Sequence, residues 1–212
     1  MNSRLSQFFL KYPARSFKKG QMILNMDVLD HPYLYFIEKG YVRVYTLLPN
    51  GTQKTYIFYR PREVFPIIWT FNHINKHLFY EAMDTVTLRK VPRSEFMTYI
   101  TNNPDMLFEV IHRIVDIHNI YVDRVDTLEY TNSYTRLISR LLSLANRFGQ
   151  PDGNKVTIQI PVTHTDIANT IALTRETVSR DMEKLEKKGL VGKLNHFIVL
   201  KNVEKLREEL EK

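Results

Sequence analysis

Arg175, Glu176, Ser179 and Arg180 put two guanidinium groups, a carboxylate and a hydroxyl within six residues of one another. On a helix, Arg175 with Ser179 and Glu176 with Arg180 are i,i+4 pairs, so all four side chains project from the first turn and a half. Such a set can read DNA. Arginine forks match the O6 and N7 acceptors of guanine, a carboxylate accepts from the amino group of cytosine, and the major groove admits a helix. The same four residues in isolation also fit the solvated face of an ordinary surface helix. The elements that hold them decide between the two.

Thr163 precedes an apolar-periodic segment and Asp166 stands three residues on, which resembles a capping box whose acid is slightly short for its return bond. Ile167, Ala168 and Ile171 give the helix that follows an apolar stripe, and small Ala168 lets a second helix approach closely. Thr174 is a second N-cap. Val178, Met182 and Leu185 then recur at spacings of four and three, which leaves Arg175, Glu176, Ser179 and Arg180 on the free side. Lys187-Lys188-Gly189 ends that helix. Two short strands, Leu190 to Lys193 and Phe197 to Leu200, flank Leu194-Asn195-His196. Helix-turn-helix plus hairpin makes a winged helix.

The run Arg175-Glu176-Thr177-Val178-Ser179-Arg180 resembles the recognition helix of the CRP/FNR family of bacterial transcription regulators, which commonly reads R-E-T-V-S-R. The resemblance implies that Arg175, Glu176 and Arg180 contact bases and that Ser179 lies against the same edge. It also implies that Thr163, Thr165, Thr174 and Thr177 hold phosphates, which set register while base contacts set specificity. One position departs from the pattern. The family usually has glycine where Ala172 stands, at a turn where positive φ is convenient, and alanine there costs on the order of 1 kcal/mol.

From Lys19-Gly20 to about Val91 the chain reads as strands: Tyr33 to Ile37, Gly40 to Tyr45 and Thr55 to Phe58, with Asn50-Gly51 as a tight-hairpin signal. Several short strands with turn punctuation point to a jelly roll or barrel. Tyr35 to Tyr45 resembles the opening of a cyclic-nucleotide-binding-like domain, the usual amino-terminal partner of this winged helix, so the likeness spans nearly the whole chain. Members that bind cyclic nucleotides hold the ribose with a glutamate and the phosphate with an Arg-Ser pair. Aligned here are Pro66-Ile67 and Lys76-His77, and no Arg-Ser or Arg-Thr occurs between Pro61 and Lys90. Isoleucine cannot accept ribose hydroxyls and lysine is a poor substitute for a bidentate phosphate fork, so cAMP is not expected to bind. Phe65, Trp69, Phe79 and Tyr80, with Tyr121, are candidates to line an effector pocket, the alternative being a filled barrel core. His73 and His77 have a spacing at which two imidazoles can share a metal on a helix, but without a third ligand no metal site is assigned.

After Asn103-Pro104-Asp105 the chain runs without glycine or proline to Phe148, read as two helices meeting near Tyr130 to Ser133. In the first, Leu107, Ile111, Ile114, His118, Tyr121, Val125 and Leu128 form a heptad seam suited to a parallel two-stranded coiled coil, as in the dimer helix of the family. Val110, Ile117 and Ile120 form a second apolar edge that could face the chain's own barrel. His118 interrupts the seam, either as a half-exposed side chain or as a proton-sensitive pair across a two-fold axis.

At 43% hydrophobic residues the 212-residue chain is long enough for one large or two modest folded domains. The net charge of +7 suits a polyanionic partner. With no cysteine there is no thiolate zinc site and no cysteine-ligated iron–sulfur cluster, and no cofactor is assigned. Absence of an opening signal peptide or an eighteen-residue apolar run leads us to expect a cytoplasmic protein without a membrane partner.

These observations combine into an α+β chain: residues 1–103 an antiparallel β jelly-roll or barrel sensing domain, 104–130 a dimerisation helix, 131–212 a winged helix-turn-helix. The expected function is that of a homodimeric regulator, not an enzyme, binding double-stranded DNA at an inverted repeat of TGTGA-like half-sites, with RNA polymerase as a partner if it activates. Two alternatives stay open: a small-molecule-sensing module whose winged helix binds a protein, and a regulator without an effector.

Overall fold

The computed structural model describes residues 4–26, 31–72 and 77–211. The chain divides into two units, Met1–Asn119 and Ile120–Lys212, so the division falls inside the long helix rather than at either of its ends.

The first unit opens with α1 (Arg4–Leu10), β1 (Ala14–Phe17), β2 (Met22–Asn25), β3 (Tyr33–Lys39), β4 (Val42–Leu47), β5 (Gln53–Tyr59) and β6 (Val64–Phe65). It continues through α2 (Ile67–Phe71), β7 (Phe79–Ala82), β8 (Val86–Pro92) and α3 (Arg93–Thr101) into α4 (Pro104–Glu129). Its strands form two four-stranded antiparallel sheets, ordered β1-β8-β3-β6 and β2-β7-β4-β5. Phe65 of the first sheet stacks on Tyr80 of the second at 5.0 Å between ring centroids, so the two sheets enclose one aromatic core. Four consecutive residues of β3, Leu34 to Ile37, are buried because both faces of that sheet are covered. Tyr35 points inward to Phe65, while Phe36 points outward and stacks on Phe9 of α1, which packs on Phe96 of α3. The Asn50-Gly51 signal marks a hairpin, with a longer connection than a two-residue turn. Pro49 takes the second position of a turn closed by Gly51 N–H to Leu48 C=O, and Gly51 sits at φ +80°.

The second unit contains α5 (Ser133–Phe148), β9 (Gly149–Asp152), β10 (Lys155–Ile158), α6 (His164–Ile171), α7 (Arg175–Lys187), β11 (Val191–Leu194), β12 (Phe197–Leu200) and α8 (Val203–Glu208). Asn132 caps α5 by accepting from Tyr134 N–H at 2.9 Å, which fixes the break after α4 where the sequence places it. The wing is one edge of a four-stranded antiparallel sheet ordered β11-β12-β10-β9. The β9–β10 hairpin at the far edge was not anticipated. Its first strand reads Gly-Gln-Pro-Asp, a turn composition that an edge strand tolerates because Pro151 need not donate outward. No helix among the described residues is long and apolar enough to cross a membrane.

Candidate nucleic-acid interface

The helix-turn-helix is assembled from its caps inward. Thr163 Oγ1 accepts from Asp166 N–H at 3.1 Å, and the Asp166 carboxylate takes both the Thr163 N–H, at 2.8 Å, and its hydroxyl, at 2.6 Å. The capping box is thus closed even with the shorter acid. This has a consequence for Thr163, one of the four threonines implied in phosphate binding: its hydroxyl proton and its N–H are both given to Asp166, so neither is available to a phosphate oxygen. Thr174 Oγ1 caps α7 by accepting from Thr177 N–H at 3.2 Å, and Thr165 and Thr174 are exposed at the two helix starts.

Ile167, Ala168 and Ile171 of α6 are buried, as are Val178, Met182 and Leu185 of α7, the two stripes read from the sequence. The turn between them places Ala172 at φ 54°, ψ 43°. Alanine therefore adopts the left-handed conformation that glycine takes without steric cost. We expect Ala172→Gly to raise stability by about 0.5–1 kcal/mol, read as a higher denaturation midpoint at unchanged slope. An unchanged or lower midpoint contradicts the strain. Gly189, at φ 71°, ends α7 in a Schellman motif, with Leu190 N–H to Leu185 C=O at 3.0 Å and Gly189 N–H to Glu186 C=O at 2.9 Å.

Arg175, Glu176 and Arg180 are exposed on the free face of α7, and Ser179 beside them is half-buried. Three side chains whose contacts sequence reasoning missed hold this face in place. His164 Nδ1 is 2.8 Å from Ser179 Oγ. Asp181 is fully buried and accepts from Ser133 Oγ at 2.7 Å and Lys184 Nζ at 2.8 Å. Arg136 of α5 donates to Tyr130 C=O through Nε and Nη2, at 3.0 and 2.7 Å, and to Ile171 C=O through Nη1 at 3.4 Å. The first turn of α5 thereby grips the end of α4, the end of α6 and the middle of α7. Asp181 had a sequence signal: it stands three residues after Val178 and four before Leu185, on the buried face, where a carboxylate needs partners. The contacts of His164 and Arg136 span 15 and 35 residues and had none.

A cleft of about 530 Å³ lies beside this face, lined by Thr163, His164, Thr165, Arg175 and, from the wing, Lys193, Asn195 and His196. Burial pushes the His164 pKa below its ordinary value, and the Lys193 and Arg175 charges add to the effect against opposing Glu186 and Glu183. The wing residues were not singled out from the sequence, although a basic turn next to a recognition helix is suited to phosphate.

In the first unit the aromatic candidates do not form one pocket. Phe65 and Tyr80 stack on each other, and Phe65 also stacks on Tyr35 at 5.3 Å, so these rings fill the core. Phe79 leaves the opposite face of β7 and stacks on Tyr45 at 5.3 Å, because neighbouring residues of a strand alternate sides. Trp69 is buried on α2, 6.1 Å from the ring of His31, and Tyr121 belongs to the second unit. Ile67, aligned by sequence with the ribose-binding glutamate of the family, begins α2 with a buried apolar side chain. His77 is exposed, and His73 and Lys76 lie outside the described residues.

On α4, Val110 and Ile117 are buried, as the second apolar edge predicts. Of the heptad seam, Leu107, Ile111, His118 and Val125 are exposed, while Ile114, Tyr121 and Leu128 are half-buried. More open than those three is a neighbouring column, Phe108 at 64%, Val115 at 49% and Val122 at 44% exposure. Ile111, His118 and Val125 are shared by both registers. The open stripe is thus turned toward Phe108, Val115 and Val122, away from the buried side.

A jelly-roll body, a long helix with an apolar face and a winged helix carrying an arginine-bearing recognition helix are the parts of a two-part DNA-binding transcription regulator. Residues 14–103 match the cyclic nucleotide-binding domain and residues 135–209 the Crp-like helix-turn-helix domain. The chain belongs to the CRP/FNR family of transcription regulators. It is 28% identical over 165 residues to a global nitrogen regulator of Nostoc sp., covering 75% of this chain and 72% of that one. With the nitrogen fixation regulation protein FixK of Bradyrhizobium diazoefficiens it shares 25% over 185 residues, 87% and 76% of the two chains. Its fold is similar to that of a CooA mutant from Carboxydothermus hydrogenoformans, with a TM-score of 0.79 at 18% identity over 98% of this chain and 92% of that one. FixK2 from Bradyrhizobium japonicum gives 0.74 at 24%, over 93% and 96%.

Proposed function

We propose that this regulator binds, as a homodimer, an inverted repeat of TGTGA-like half-sites whose centres lie about 34 Å apart, and that its control does not pass through a cyclic nucleotide. The observation that carries the DNA reading is the α7 face: Arg175, Glu176 and Arg180 are exposed together on a helix whose opposite side is locked into the core. The open apolar stripe of α4 supports the dimer, and Ile67 supports independence from cAMP. No cofactor or metal is assigned, and no catalytic role; RNA polymerase is a partner if the protein activates. The relatives named above are regulators, in keeping with that reading.

The test is selection from a pool of random duplexes, followed by titration of the recovered sequence at several salt concentrations. Binding driven by phosphate contacts falls steeply with added salt. Arg180→Ala is expected to lose about 1–3 kcal/mol of discrimination at one guanine per half-site while retaining non-specific binding. Equal losses on selected and random duplexes, or no enrichment at all, point instead to a winged helix that binds a protein.

A further inference from the structure

His164 is the first residue of α6, and its Nδ1 meets Ser179 Oγ at 2.8 Å across the helix-turn-helix. Ser179 is half-buried within the face formed by Arg175, Glu176 and Arg180. A hydroxyl carries one proton, so the direction of this single bond decides what Ser179 has left to offer. If Nδ1 accepts, the serine proton points inward and only lone pairs face out. If Nδ1–H donates, the serine keeps its proton for the outside.

The other ring nitrogen settles the direction. His164 Nε2 is buried and makes no hydrogen bond among the described residues. A neutral imidazole has one proton to place, and folded proteins leave a buried N–H without an acceptor more rarely than they leave a buried acceptor without a donor. The proton therefore belongs on Nδ1.

We propose that His164 is a positioning residue for base reading: its Nδ1–H holds Ser179 Oγ as an acceptor and turns the serine proton outward, so that Ser179 selects an acceptor on a base edge. Guanine O6 and N7, adenine N7 and thymine O4 are such acceptors. The inference rests on the DNA-reading role proposed for α7. The groups around the ring are Arg175, Glu183 and Glu186 of α7 and Lys193 of β11, with His196 lining the same cleft from the wing turn and Asp166 engaged in the Thr163 cap. Protonating the ring adds a proton at Nε2 and leaves Nδ1–H in place. Ser179 should then offer the same polarity on both sides of the histidine titration.

The test compares base preferences recovered from random duplexes by the full chain and by His164→Asn, His164→Asp, Ser179→Ala and the His164→Asp/Ser179→Ala double variant. Asn and Asp place an atom two bonds from Cβ, where Nδ1 lies. The Asn amide can donate from there; the Asp carboxylate can only accept. Aspartate in the first turn of a helix also suits the helix dipole, so the fold is retained.

We expect His164→Asn to keep the wild-type preference. His164→Asp should shift one base pair per half-site by about tenfold toward bases presenting an amino donor, cytosine or adenine. In the Ser179→Ala background the same change should leave that base pair unaltered. Between about pH 5.5 and 8, wild-type preference at that pair stays constant, whereas an accepting Nδ1 would reverse it on acidification. An unaltered preference in His164→Asp, a shift that persists without the serine hydroxyl, or a preference that turns with pH overturns the proposal. Failure of every variant to enrich any sequence instead removes the DNA reading on which it rests.

Discussion

Replacing Val115 and Val122 with glutamate yields a folded monomer whose affinity for its selected duplex is lower by about 10²–10⁴-fold. Both side chains are about half exposed in the single chain, so the substitution disturbs little of its own core and should leave the denaturation midpoint nearly unchanged. In the proposed dimer the same positions lie one heptad apart on the open stripe, and each glutamate would face its own copy across the two-fold axis. Four carboxylates confined to one seam repel one another and lose hydration on burial. A monomer then engages one half-site at a time and forfeits the effective concentration with which a tethered second winged helix binds. Sedimentation and titration against the selected duplex, measured together, check the result. Ile114→Glu/Tyr121→Glu serves as the comparison: those side chains are half-buried, so their loss should appear in the denaturation midpoint as well as in association. A Val115→Glu/Val122→Glu protein that stays dimeric and binds as before removes the α4 stripe from the interface.

That pair of variants also marks where the sequence stops being sufficient. Heptad spacing in α4 is compatible with two columns, Leu107-Ile114-Tyr121-Leu128 and Phe108-Val115-Val122, on either side of Ile111, His118 and Val125. Which column is open depends on where the body packs, and the buried Val110 and Ile117 lie nearer to Ile114 and Tyr121 around the helix. Local signals were sufficient elsewhere. The stripes Ile167-Ala168-Ile171 and Val178-Met182-Leu185, the caps at Thr163 and Thr174 and the stop at Gly189 each follow from residues within one turn of each other, and each is found in place. The aromatic cluster failed for the reverse reason. Phe79 and Tyr80 are neighbours in sequence, yet a strand sends them to opposite faces, and only the pairing of β7 fixes which one meets Phe65. The contacts that aim the recognition helix, through His164, Asp181 and Ser133, join separate elements.

Asp181→Ala is expected to lower the stability of the second unit by about 2–4 kcal/mol and to reduce base discrimination more than non-specific binding. The carboxylate is fully buried and accepts charge-assisted bonds from Ser133 at the start of α5 and from Lys184 one turn along α7. Removing it leaves the Ser133 hydroxyl without that partner, and α7 loses its polar tie to the helix beneath it. The half-exposed Lys184 recovers hydration, which keeps the estimate below that for a wholly enclosed pair. Acidity gives an independent check. Burial alone would raise the Asp181 pKa, but hydrogen bonds from Lys184 and Ser133 and the charges of Lys184 and Arg180 outweigh it and hold it below the ordinary carboxylate value. A depressed carboxylate stabilises the fold fully above its unfolded pKa of about 3.9 and loses that contribution as pH falls through the lower folded value. The stability difference between wild type and Asp181→Asn should therefore be constant at neutral pH and shrink below about pH 4. Ser133→Ala should recover part of the effect, and a double-mutant cycle should give a non-zero coupling between the two positions. Additive losses in that cycle would place the tie elsewhere, and a constant difference into acid would mean that Asp181 is not held ionised by these partners.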